Sequence, residues 1–128
     1  MSKRHGEKSP HLVIRVRLYT GGDIALGPGK ADLLEAIRKT GSISAAGRAL
    51  GLSYRRAWQL VETMNRSFCK PVVEAARGGE HGGGAVVTPF GWDLLTDYRA
   101  LEKDLEKTAG RHFDRLSQNL KTEIAESK

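Results

Sequence analysis

Thr40-Gly-Ser-Ile-Ser-Ala-Ala-Gly-Arg-Ala-Leu-Gly-Leu-Ser53 leads directly into Tyr54-Arg-Arg-Ala-Trp-Gln-Leu-Val-Glu-Thr-Met-Asn-Arg66, and this junction decides the fold. Ala45, Ala46, Ala49 and Leu50 are small or apolar residues at helical spacing. Gly51 follows at once, where a chain leaving a helix takes a left-handed residue at no steric cost. Leu52 is placed to plug the angle between two helices. Ser53 is placed to cap the second, its hydroxyl accepting from an amide of the first turn. Ala57, Leu60, Val61 and Met64 then recur at i, i+3, i+4 and i+7, forming one buried stripe. Helix, short glycine turn and capped helix make a helix-turn-helix. An ordinary helical hairpin shares that turn, so the turn alone does not decide the function.

The residues off the stripe carry the chemistry. Tyr54, Arg55, Arg56 and Gln59 cluster in the first turn and a half of the second helix, the part of a recognition helix that reaches base edges and phosphates. Arginine bonds guanine O6 and N7 bidentately, and glutamine does the same at adenine N6 and N7. A merely solvated face is the competing reading. Against it, the arginines stand at a helix N-terminus, where the macrodipole disfavours cations, and no acid follows before Glu62. Trp58 is expected in the core. Ser42 and Ser44 add hydroxyls beside the turn, where phosphate is the natural anion.

Two short β-compatible runs come next, Val72-Val73 and Ala85-Val86-Val87. Between them Gly78, Gly79, Gly82, Gly83 and Gly84 predict a flexible tip carrying Arg77, Glu80 and His81. Such a hairpin is a wing, which lies along a groove and presents amides, Arg77 and His81 to phosphate; a plain flexible hairpin is the alternative. The glycines are not a nucleotide loop. A P-loop needs serine or threonine after its lysine, and Ala31 follows Lys30. Asp32 stands where a dinucleotide fingerprint needs its third glycine.

Gly41-Ser-Ile-Ser-Ala-Ala, Ser53-Tyr-Arg-Arg-Ala-Trp, Met64-Asn65, Gly82-Gly-Gly-Ala-Val-Val-Thr88 and Gly91 together resemble the N-terminal DNA-binding domain of the ModE family of molybdate-dependent transcriptional regulators. The layout is also similar, more distantly, to the winged domain of LysR-type regulators. The resemblance covers roughly residues 23 to 107. It implies duplex DNA binding at the matching positions. Full-length members carry molybdate-binding domains after the DNA-binding one, and a chain of 128 residues is expected to lack room for them. Molybdate sensing is therefore not carried over.

Composition agrees. Sequence pI is about 9.7, which fits a polyanionic partner. Residues 1–88 hold 14 Lys and Arg against 7 Asp and Glu, whereas residues 89–128 hold 7 against 8, so the excess lies where DNA contact is expected. A single cysteine, Cys69, permits no internal disulfide and points to a reducing cytoplasm. No apolar run suits a membrane span and no signal-peptide core opens the chain. Catalysis is not expected. Cys69 and His81 are a weak nucleophile and base pair, and His5, His11, His81 and His112 have no metal-ligand spacing. No cofactor is expected.

The fold class expected is mainly α with small β: a winged helix-turn-helix DNA-binding domain with a long C-terminal dimerisation helix. Residues 1–11 are predicted to be a mobile basic tail, 12–108 the winged domain and 109–128 a C-terminal helical extension. Alternation of Ile14, Val16 and Leu18 with Arg15, Arg17 and Tyr19 predicts a strand over 12–19, paired with Ile24 to Leu26. A helix is predicted from Pro28 or Gly29 to about Lys39, with Leu33, Leu34 and Ile37 inward. Thr88-Pro89 predicts a capped helix start, with Leu94, Leu95, Tyr98, Leu101 and Leu105 as the stripe to about Thr108. Gly110 is expected to break or bend it, and Phe113, Leu116, Leu120 and Ile124 to form a last helix. Those later apolar residues favour a homodimer over a tail folded back on its own domain. Two functions follow: a homodimeric regulator reading a specific duplex, or a winged-helix protein-interaction or small-ligand module that does not read sequence.

Overall fold

A computed structural model describes residues 9–76 and 84–121. The order of elements is β1 (Leu18–Thr20), β2 (Asp23–Leu26), α1 (Pro28–Thr40), α2 (Ile43–Ala49), α3 (Tyr54–Ser67), β3 (Val73–Ala76), β4 (Gly84–Val87) and α4 (Pro89–Ser117). Each strand pair is antiparallel, β1 with β2 and β3 with β4. This is a winged helix: three helices, then a hairpin, then a long helix.

Local chemistry accounts for the boundaries. Pro28 opens α1 at a position whose amide needs no partner. Gly41 closes it at φ 74°, in the left-handed region, and its N–H donates to Ile37 O. Ser42 caps α2 by accepting from Ala45 N at 3.0 Å. Gly51, also at φ 74°, makes the turn, and Ser53 caps α3 by accepting from Arg56 N at 3.0 Å. The Thr88 hydroxyl accepts from Gly91 N at 2.9 Å and donates to Pro71 O at 2.8 Å, so it both caps α4 and ties it to the start of the wing.

The chain divides into two compact units, Arg15–Ala100 and a second made of Met1–Ile14 with Leu101–Lys128. The first holds the core. Leu33, Leu34 and Ile37 of α1, Met64 of α3, Val72 and Leu95 are its fully buried large side chains. The Tyr98 hydroxyl donates to Val16 O at 2.7 Å. Arg99 grips α1 with two groups, Glu35 at 3.1 Å and Asp32 at 2.9 Å. In the second unit Leu12, Val13, Leu101, Leu105, Leu116 and Leu120 are all exposed. No helix of the described residues is long and apolar enough to cross a membrane.

Three sequence expectations are corrected. The first strand starts at Leu18, not Leu12, because its partner β2 has four residues and Leu18 already pairs with the last of them, Leu26. Gly110 does not break α4, which runs through it to Ser117. A lone glycine costs a helix about 1 kcal/mol, which strong helix formers on both sides readily outweigh. Trp58 is not in the core but 39% exposed. The end of the seam expected at Ile124 lies outside the described residues.

Candidate nucleic-acid interface

The site is assembled by close packing between α2 and α3. A Cβ built on Gly47 would meet Ala57 Cβ at 3.0 Å, so a larger residue would force the two helices apart. Leu52 N donates to Gly47 O at 2.8 Å, which holds the turn against α2. Ala57, Val61 and Met64 face inward from α3. That anchors α3 by one side and leaves Tyr54, Arg55, Arg56 and Gln59 exposed at its N-terminal end.

The exposed edge is cationic and unneutralised. Among the described residues neither Arg55 nor Arg56 is paired with a carboxylate. Arg56 reaches Gln59 through a long contact of 3.5 Å. Arg55 and Gln59, four residues apart, stand on the side of the helix away from Ala57, Val61 and Met64. Arg56 lies on the flank toward α1. Its charge is felt there by Lys30, which is only 8% exposed. Burial pushes the Lys30 pKa below the usual lysine range, the Arg56 cation pushes it further down, and Asp23 opposes both. Asp23 itself pairs with Arg66 at 3.7 Å.

On the other flank α3 meets the wing. The Asn65 side chain accepts from Val72 N at 2.7 Å and Val73 N at 3.2 Å, and donates to Val73 O at 3.0 Å. The wing strand is thereby bolted to the helix. Ala85 N donates to Gly41 O at 2.9 Å, which fixes the second wing strand to the turn before α2. Between α3 and the wing lies a cleft of about 410 Å³ whose lining includes Ser44, Tyr54, Trp58, Val61 and Ala85. Tyr54 and Trp58 form an edge-to-face pair with centroids 6.2 Å apart.

Of the residues singled out from sequence, Tyr54, Arg55, Arg56 and Gln59 share one edge, and Ser44 lies across the cleft from Tyr54. Ser42 and Ser53 are helix caps, and the Ser44 hydroxyl accepts from Arg48 at 3.0 Å. Arg77 and His81, expected on the wing tip, lie outside the described residues. Sequence reading missed the Asn65 clamp and the burial of Lys30. Asn65 had one signal, a polar residue beside the buried Met64. Lys30 had none.

No family model matches the chain. Over 82 residues it is 51% identical to the molybdenum-pterin-binding protein MopB of Rhodobacter capsulatus, covering 64% of this chain and 30% of that one. Over 90 residues it is 39% identical to the DNA-binding transcriptional dual regulator ModE of Escherichia coli K12, covering 70% and 33%. The chain thus spans about a third of the length of these curated relatives. Among solved structures, the CbnR_DBD–DNA complex superposes with a TM-score of 0.53 at 16% identity, covering 71% of this chain and 97% of that one. That likeness shows the fold.

Proposed function

We propose that this chain, a ModE-like winged-helix domain, binds a specific double-stranded DNA sequence as the recognition part of a transcriptional regulator and acts as a homodimer. The observation that carries the reading is the N-terminal edge of α3. Two arginines without acidic partners stand where the helix dipole repels cations, on a helix anchored from behind by its buried stripe. A phosphate backbone and guanine edges supply the missing acceptors. The name of the Escherichia coli relative as a DNA-binding regulator and the DNA in the CbnR_DBD complex support the reading.

The molybdenum-pterin-binding relative favours a second reading, a small-ligand module. The two separate in one experiment. Selection from a random duplex library, followed by mobility shifts at graded salt, should enrich one motif and give binding that weakens steeply as salt rises. Failure to enrich any duplex, together with binding indifferent to sequence, would favour the small-ligand module.

A further inference from the structure

The arginines do not explain the two aromatics beside them. Tyr54 is 60% exposed and Trp58 39% exposed, in the same turn and a half of α3 that carries Arg55 and Gln59. Neither the tyrosine hydroxyl nor the indole N–H has a hydrogen-bond partner among the described residues. The core does not need them, since Ala57, Val61 and Met64 already close that side of the helix. Large exposed aromatics that the core does not use mark a contact surface. The cleft they border continues the same surface, with Ile43, Val61, Val73 and Ala85 among its apolar lining. Its polar lining is Ser44, Asn65 and the Glu74 carboxylate on β3. The Asn65 amide is engaged by the wing backbone and the Ser44 hydroxyl by Arg48.

The occupant must be apolar at this point yet anionic beside it, because Arg55, next to Trp58 on the outer side of α3, has no acidic partner among the described residues. An apolar protein face does not meet the second condition, and a phosphate alone does not meet the first. Duplex DNA meets both. On the major-groove edges of the bases, the apolar group is the C5-methyl of thymine.

We propose that Tyr54 and Trp58 are specificity residues for thymine, holding its C5-methyl groups in the major groove against the aromatic pair and the cleft behind it. The inference rests on the DNA-binding reading above and adds a readout that hydrogen bonds from Arg55 and Gln59 do not supply.

Replacing thymine by deoxyuridine removes the methyl and leaves every hydrogen-bonding group in place. The probe is the duplex enriched from the random library, resynthesised with dU at one thymine position at a time, and bound by the full chain. Wild-type protein should lose about fourfold in affinity for each methyl it holds, at one or two positions per half-site. Trp58→Ala should erase that dT-to-dU difference at its position while the preference read by Arg55 persists. Tight binding of the enriched duplex with no loss at any dU position overturns the inference and leaves DNA binding standing, and this arm needs no variant to fold. A difference that survives Trp58→Ala at every position likewise overturns it. If no duplex is enriched at all, the DNA-binding reading fails and the inference fails with it.

Discussion

Arg55 and Arg56 are neighbours in sequence with different outlooks. Arg55 shares the outermost side of α3 with Gln59, whereas Arg56 lies toward Lys30 on α1. Arg55→Ala should therefore cost about 1–3 kcal/mol of binding and relax preference at one base position, whereas Arg56→Ala should weaken all sequences alike and reduce the salt slope by about 1. Titrations of both variants at several salt concentrations check this, and two flat results would mean that this helix does not face DNA. Lys30 gives a second prediction. Its folded pKa is lowered by burial and by the Arg56 cation, so between that value and the ordinary lysine range the unfolded chain holds more protons than the folded one. Wild-type stability then gains from this group as pH rises through that window, and the full burial penalty applies below it. Lys30→Met should be more stable than wild type at neutral pH, with the difference shrinking in alkali; urea midpoints across the pH range measure it. Burial of Lys30 was not legible in the sequence, because it depends on β2 and α3 closing around α1's first turn. The arginines were legible, because a helix start with cations and no acids is a local pattern.

At the level of elements, what was legible is what local chemistry dictates. Gly51 and Ser53 announced the turn, Thr88-Pro89 announced α4, and two short β-compatible runs, Val72-Val73 and Ala85-Val86-Val87, flanking a glycine cluster announced the wing. What was not legible depended on partners distant in the chain. The length of β1 is set by β2, and the exposure of Trp58 is set by how the wing leans on α3, which a helical wheel does not contain. Arg99 reaches Asp32 and Glu35 across more than 60 residues of sequence. The Asn65 clamp is the most consequential of these. Asn65→Ala would leave the Val72 and Val73 amides without their side-chain acceptor, at about 1–3 kcal/mol. The expected signature is specific to the element: hydrogen exchange should accelerate at Val72 and Val73 well before it does in α1. Uniform acceleration would mean that the clamp serves global stability and does not position the wing.

At the scale of the whole molecule, two properties are at stake: assembly and effector response. Leu101, Leu105, Leu116 and Leu120 are between 36% and 61% exposed. Leaving that much apolar surface wet is costly, and a second copy offers a self-complementary cover. Sedimentation should give a dimer, and a clean 14.0 kDa monomer with full DNA affinity would rule it out. In the dimer the two recognition helices should reach half-sites roughly 34–36 Å apart, or a multiple of that. Molybdate is the sharper case, because MopB is named for molybdenum while this chain covers only 30% of it. A dianion of that size needs a closed nest of amides and donors. In the described residues one first-turn amide in each of α2, α3 and α4 is taken by a cap hydroxyl, that of Ser42, Ser53 or Thr88. Arg55 and Arg56 lie on an open edge suited to a polymer and not to an enclosed ion. DNA affinity of this chain should therefore be the same with and without molybdate, and calorimetric titration of the DNA-free protein should be flat. Saturable binding at one or two ions per dimer would overturn this. It would place an oxyanion site between two copies, where a single chain cannot display it, and would make assembly itself the molybdate-responsive step.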